Sequence, residues 1–382
     1  MEVTHDRRRG VAVFAMRRMT AAMTALPAIT AAIAIALFAP TTHAQSSADS
    51  VGAASATLLS PSMRITLDAR APMRDGVALS ARIWRPSAPG RYPVVMQHTP
   101  YLSDEAQARA RKFVAAGYAY ASIDRRGRGT SEGRFVPLEG SGADGADAIA
   151  WLAAQDWSDG RVVTMGGSYR GTTQWQALAY APPALKAAVP TASVYPGWDY
   201  PAQRGIPYAG IAQWLAFTSG RASNMQLYGD EVYWREKQLR AHRGEVTFAQ
   251  LAAISGAPQD AFAAWLSRPN SAWQAVNPSP AQYAAMTPPI LTITGYFDGD
   301  QDGALRYYDE HQRHAAPAAR DALLLLIGPW DHAGTRYPSK EVGGLRKTSN
   351  LSAIAFGQRF RLSNLRRRDA IEASPATFCP LA

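Results

Sequence analysis

The sequence predicts an α/β fold: a doubly wound, mostly parallel sheet with a helical cap inserted between two of its strands. Two observations carry this. Short apolar runs bounded by turn residues alternate with helix-compatible stretches over residues 93–194 and again over 290–327. Between 195 and 289 that rhythm stops and aromatic, helix-compatible sequence replaces it. Strands covered by helices on both faces read as continuous apolar runs, and alternation with helices is the mark of a parallel sheet.

The elements follow in order. Residues 63–67 and 77–84 alternate around Arg74-Asp75-Gly76, which predicts an antiparallel opening hairpin with Asp75-Gly76 in its turn. Strands are expected at 93–96, 118–123, 162–165, 187–189, 290–294 and 323–327, and helices at 105–116, 140–155, 169–180 and 304–314, from apolar periodicity and flanking turn residues. The 195–289 insertion carries Trp198, Trp214, Trp234, Trp265 and Trp273. Large aromatics of this kind form the core of a cap, and an insertion here overlies the C-terminal strand ends, where ligands bind. The main domain is thus 61–194 with 290–345.

Five arginines (Arg7, Arg8, Arg9, Arg17 and Arg18) precede an alanine-rich apolar run over 21–40, and Thr42-His43-Ala44 follows. This is the layout of a secretory signal peptide cleaved after Ala44, with residues 45–60 as a linker and a secreted or periplasmic destination. A membrane anchor is the competing reading, weakened by Pro27 within the run. Arg17-Arg18 leaves the export route open between the general and twin-arginine pathways.

The net charge of +10 is concentrated at the ends. Residues 1–44 set five Arg against Glu2 and Asp6, residues 340–382 set eight Lys or Arg against three acids, and the body retains +2. A body so nearly neutral offers no phosphate-tracking surface, which argues against nucleic acid as a partner. The single cysteine, Cys379, permits no internal disulfide, so the fold depends on its core.

Residues 162–171 read Val-Val-Thr-Met-Gly-Gly-Ser-Tyr-Arg-Gly: a β-branched run breaks at two glycines into Ser168, and helix-compatible sequence follows. A nucleophilic hydroxyl must stand clear of the sheet, so its neighbours must be small enough for strand and helix to pass closely. The usual elbow is Gly-x-Ser-x-Gly; here Arg170 takes the last position and Gly171 comes one residue late. Neither phosphate-loop spacing is present, and a structural βα turn remains the bland alternative.

A serine nucleophile needs a base, and the base needs an acid to orient it. His332, in Gly328-Pro329-Trp330-Asp331-His332, follows the last strong strand. The other histidines lie in the signal (His5, His43), in a charged cap segment (His242), at the surface of the 304–314 helix (His311, His314), or after an earlier strand as a structural residue (His98). Asp298 follows the 290–294 strand, with Asp300 and Asp302 as rival acids. The order Ser168, Asp298, His332 is that of α/β-hydrolases, each after a strand end.

Gly166 to Gly171, Thr99-Pro100-Tyr101, the stretch from Asp124 to Gly133, Tyr296-Phe297-Asp298-Gly299 and Gly328 to His332 together resemble the cocaine esterase and Xaa-Pro dipeptidyl-peptidase superfamily of serine hydrolases. That group includes α-amino-acid ester hydrolases and glutaryl-cephalosporin acylases, and the resemblance covers about residues 60–345. It accounts for the displaced glycine as part of a six-residue elbow. It implies an oxyanion hole made of the Tyr169 backbone N–H and the Tyr101 hydroxyl, a donor worth roughly 3 kcal/mol in such sites.

Further implications are hydrolysis of esters or amides of small acyl substrates, among them α-amino-acyl esters, β-lactam side chains or Xaa-Pro dipeptides, with no cofactor and no metal. Asp199, Asp300 and Asp302 form a candidate acidic pocket for an α-amino group, with Trp198 as a further substrate contact and solvated loop carboxylates as the alternative. The Asp124 to Gly133 loop, with three arginines, is expected to brace the elbow through arginine–carboxylate pairs.

Two alternatives stay open. Asp298, Asp300, Asp302 and Asp309 have the spacing of a calcium loop, although a strand precedes them and the twelfth residue is Asp rather than Glu. Relatives in the superfamily also continue past the histidine into a β-rich jelly-roll domain, whereas this sequence stops at Ala382 after a basic tail (346–382) that resembles no family segment. A truncated reading frame with impaired catalysis is the corresponding expectation.

Overall fold

A computed structural model describes residues 63–203, 205–339 and 341–346. The expected signal peptide, linker and basic tail beyond position 346 lie outside them. Strands β1 (Met63–Pro72) and β2 (Ala78–Pro86) pair antiparallel. Their turn runs through Gly76 at φ 83°, a left-handed conformation that costs glycine nothing. Strands β3 (Tyr92–Thr99), β4 (Ala119–Asp124), β5 (Ser158–Gly167) and β6 (Leu185–Thr191) follow. After a two-residue hairpin, β7 (Ala202–Gln203) with β8 (Ile206–Pro207), the sheet resumes with β9 (Ile290–Phe297) and β10 (Leu323–Asp331). The order is β1-β2-β4-β3-β5-β6-β9-β10; β2 runs antiparallel to β4, and every neighbour pair from β4 to β10 is parallel.

The strands outrun the apolar runs that predicted them, mostly at their C-terminal ends. Gly166 and Gly167 of β5 still pair with Pro190 and Thr191, and Gly328 of β10 pairs with Gly295 of β9. Hydrophobicity is silent there because these ends are built from small residues, yet their backbones satisfy one another in the ladder.

Helix α1 (Gln107–Ala115) covers one face, where Phe113 and Val114 pack with Trp84 and Tyr120. On the other face lie α2 (Ser141–Ala153) and α3 (Tyr169–Leu178), burying Ile149, Leu152, Trp175 and Leu178. Each such side chain contributes roughly 1.5–3 kcal/mol by leaving water.

Between β6 and β9 the chain forms α4 (Gly210–Thr218), α5 (Met225–Tyr228), α6 (Glu231–His242), α7 (Leu251–Ser255), α8 (Gln259–Ser267), α9 (Asn270–Gln274) and α10 (Pro280–Ala285). Trp214, Trp234, Trp265 and Trp273 pack with Ile211 and Phe262 in one buried cluster that also takes in Tyr169 of the elbow helix. The insertion therefore closes on the elbow itself. Trp198 stands apart, exposed, with the Arg306 guanidinium 4.7 Å from its ring centroid.

Helices α11 (Gln301–His314) and α12 (Pro317–Asp321) connect β9 to β10. Here one expectation is corrected. His311 is not at the surface of its helix but buried, edge-on to Trp175 and Tyr283. Burial pushes its pKa down to about 4, because an imidazolium loses its hydration there.

The arginine loop also differs in part. Arg125 and Arg126 do grip a carboxylate, both bonding Asp144, and Arg126 reaches Asp75 as well. Buried Arg128 instead donates to the carbonyls of Pro100, Thr218, Ser219, Gly220 and Ala222 and to Ser223 Oγ. The end of α4 leaves its last carbonyls unpaired, and a guanidinium fork is the natural donor for them. Arg128 thereby ties the insertion to the loop after β3.

Candidate active site

Ser168 sits between β5 and α3 with φ 64° and ψ −134°, a backbone conformation costing about 1–3 kcal/mol. Neighbouring contacts hold it: Ser168 N donates to Thr191 O at 2.9 Å, and Gly171 N donates to Ser168 O at 2.7 Å. A Cβ at Gly171 would collide with Ser193 Oγ and lie 2.9 Å from Thr191 O. A Cβ at Gly166 would meet Arg170 Cβ at 2.5 Å. The glycine requirement therefore falls on 166 and 171, and position 170 is free to carry a large side chain.

His332 follows β10 directly. Its Nδ1 lies 2.9 Å from Asp298 Oδ1 and 3.3 Å from Asp300 Oδ2. Asp298, fully buried in its side chain, also accepts from Thr294 Oγ1 at 3.0 Å and from the Asp300 backbone N–H at 3.1 Å. Burial is the largest single influence and raises its pKa, but the bonds from His332, Asp300 and Thr294 together hold the carboxyl below its ordinary value. An ionised Asp298 makes His332 Nδ1 the donor and leaves Nε2 as the basic nitrogen.

Tyr101 comes from the loop after β3. Its hydroxyl accepts the Trp214 indole N–H at 3.1 Å and lies near enough to the Ser168 side chain to be influenced by it. Burial pushes this phenol above its usual pKa, while Trp214, Ser168 and the charges of Arg170 and Arg336 work the other way. The Tyr169 hydroxyl is engaged elsewhere, accepting from Leu138 N at 2.9 Å, and its backbone N–H opens α3, where helix N–H groups lack internal partners.

The three further acids are placed differently from one another. Asp199 is buried, its two oxygens taken by the backbone N–H groups of Tyr195 (2.7 Å) and Gly303 (2.8 Å). Asp302 accepts from Gln203 Nε2 at 3.0 Å. Asp300 stays beside His332, its pKa pushed up to about 6, first by burial, with Asp298 adding to the rise and His332 and Arg336 opposing it. Burial and the charge of Asp300 push Asp199 well above the carboxylate range.

Thr294 and Trp214 were not singled out as site residues by the sequence. Thr294 carries no signal inside a buried strand. Trp214 reads as one cap aromatic among five, because its partner lies 113 positions away.

Asp298, Asp300 and His332 offer ligand atoms within 4.8 Å of one another, but the calcium-loop geometry is not formed. Position 298 follows a strand, and 302 and 309 lie on one continuous helix, so the carboxylates do not wrap around a point as an EF-hand requires. Among the described residues, no helix is long and apolar enough to cross a membrane.

The profile of the X-Pro dipeptidyl-peptidase (S15) family matches residues 75–334, a span holding Ser168, Asp298, His332, Tyr101 and Tyr169. The chain is 30% identical to a cocaine esterase of Rhodococcus sp. (strain MB1 Bresler) over 292 residues, covering 69% of this chain and 48% of that protein. Among solved structures it resembles an aminopeptidase from the marine sediment archaeon Thaumarchaeota archaeon, with TM-score 0.62 and 26% identity. It also resembles an α-amino acid ester hydrolase, with TM-score 0.61 and 26% identity. Both comparisons cover 78% of this chain and 52% of the other. The chain thus spans about half the length of the relatives it matches.

Proposed function

The chain belongs to the X-Pro dipeptidyl-peptidase (S15) family, and on that premise we propose that it is a serine hydrolase cleaving ester or amide bonds of small acyl substrates. The supporting observation is the bond from His332 Nδ1 to buried Asp298 at the same C-terminal end of the parallel strands that carries the Ser168 elbow. His332 Nε2 takes the Ser168 proton as the hydroxyl attacks the carbonyl, then gives it to the leaving group. The Tyr101 hydroxyl and Tyr169 N–H hold the oxyanion, and water activated by the same histidine releases the acyl group. Preorganised donors at the oxyanion are the largest single term in such catalysis.

The substrate class we favour carries an α-amino group. Asp300, partly buried beside His332 and close enough to Asp199 for their charges to interact, supplies a carboxylate where a substrate ammonium would lie, and two similar structures are an aminopeptidase and an α-amino acid ester hydrolase. The arginine-led apolar run of residues 7–40 supports export to the periplasm or medium; a mature N-terminus retaining residues 21–44, read by mass spectrometry, overturns that part.

A fluorophosphonate probe tests the chemistry. Stoichiometric labelling of Ser168, abolished in His332→Ala, is the expected result, and folded protein that takes no label refutes it. Glycyl or alanyl esters should be preferred over acetyl esters, with the preference lost in Asp300→Asn; indifference to the amine removes the α-amino reading.

A further inference from the structure

The Tyr101 ring has two close neighbours of opposite character. Phe217 of α4 stacks on it at 5.3 Å between centroids, with 14° between the planes. The Arg170 guanidinium stands over it, 5.4 Å from the centroid. Arg170 is 9% exposed, and its Nε finds no hydrogen-bond partner among the described residues. No carboxylate of the described residues pairs with it; the charges beside it are Arg109 and Arg336. Burial and these like charges push its pKa down to about 10, so at neutral pH it remains a cation.

A buried cation without a carboxylate is costly, and a methionine or leucine would fill the same volume more cheaply. The elbow does not require arginine either, since its tight approaches are met by the glycines at 166, 167 and 171. What the charge does at this position is act on the ring it covers. A guanidinium over an aromatic face is attracted to the π electrons and draws density from the ring, and low-dielectric surroundings magnify the effect.

We infer that Arg170 is a positioning residue for Tyr101: its charge polarises the phenol O–H so that it donates a stronger hydrogen bond to the oxyanion. The inference rests on the reading of Tyr101 as an oxyanion donor. Trp214 supports the same polarisation from the oxygen side, because its N–H occupies a phenol lone pair and leaves the phenol hydrogen free to be donated. The charged groups acting on Tyr101 are Arg170 and Arg336, and its titratable neighbours are Tyr169, edge-on with ring centroids 6.5 Å apart, Tyr200 and Tyr228. Burial raises Tyr200 and Tyr228, which stay neutral in the working range.

The test uses the full chain with a fluorotyrosine at position 101, whose lower intrinsic pKa brings its titration into the range where the protein is stable, followed by fluorine NMR. Arg170→Met should move the midpoint up by about one pH unit, and Arg170→Lys should restore most of the difference; Arg170→Gln serves if the methionine variant does not fold. An unmoved midpoint overturns the inference whether or not the protein turns over an ester.

With an activated ester, Arg170→Met should lower kcat about tenfold and leave KM within about twofold, and the loss should vanish in a Tyr101→Phe background. A loss that persists without the phenol, or that falls on KM, also overturns it. Absence of turnover by the unmodified chain counts against the serine hydrolase reading, and the titration then decides this one alone.

Discussion

Trp214 of α4 donates its indole N–H to the Tyr101 phenol oxygen at 3.1 Å, so the helical insertion touches the group that faces Ser168. The cap is thereby part of the site as well as its cover. In the same helix, Phe217 stacks on the Tyr101 ring and the Thr218 carbonyl is held by Arg128.

Trp214→Phe removes one hydrogen bond, worth about 0.5–1.5 kcal/mol, and part of a ring that stacks on Tyr169 and Trp265. Ester hydrolysis should fall about three- to tenfold in kcat, with a modest drop in the unfolding midpoint from the lost packing. Adding Tyr101→Phe should abolish the difference between Trp and Phe at 214; steady-state kinetics on the four variants is the check.

Asp298→Asn should cost roughly 10²–10⁴ in turnover, since an amide no longer enforces the Nδ1–H tautomer of His332. Asp300 Oδ2 lies only 3.3 Å from the same nitrogen and can accept that proton in its place. The Asp298→Asn/Asp300→Asn double variant should therefore fall well below the single one, and equal rates for the two would show that Asp300 gives no support.

Gly171→Ala should destabilise the protein by about 3 kcal/mol, because the new methyl group meets the Ser193 side chain and the Thr191 carbonyl, and the latter, at the end of β6, cannot withdraw without disturbing the sheet. Labelling of Ser168 by a fluorophosphonate should slow in parallel. Gly299→Ala, where a Cβ meets nothing within 4 Å, should stay within about 0.5 kcal/mol in urea unfolding.

Two buried groups pull the pH dependence of stability in opposite directions. Asp300 titrates near pH 6 when folded and near 4 when unfolded, so between these values the unfolded chain has released a proton that the native state keeps. Its contribution is present below about pH 4 and is lost as pH rises through about 6. Asp199 shifts in the same direction. His311 titrates near 4 when folded and near 6.5 when unfolded, so its contribution is present above about pH 6.5 and lost as pH falls toward 4. Asp300→Asn should tilt the dependence of stability on pH between 4 and 6.5 toward a rise, and His311→Leu should tilt it toward a decline, each by about 2 kcal/mol across the window in urea unfolding.

Much of the sheet was legible in local sequence. Apolar runs located the cores of β3, β4, β5, β6, β9 and β10, because strands buried on both faces admit little else. Their C-terminal ends were not legible, since Gly166, Gly295 and Gly328 pair through backbone alone. His311 was misplaced because a helix face is assigned by its neighbours in sequence, while its burial comes from Trp175 and Tyr283 on other elements.

Motif spacing singled out Ser168, Asp298 and His332, and each follows a strand whose end is set by its own residues. Which carboxylate reaches His332 more closely, what Arg170 covers and what holds the Tyr101 hydroxyl were decided only by tertiary structure. The physical reason is range. Strand and turn propensities act over a few residues, whereas the Trp214–Tyr101 bond and the pairing of Asp298 with His332 join segments 113 and 34 positions apart that meet only when the sheet is assembled.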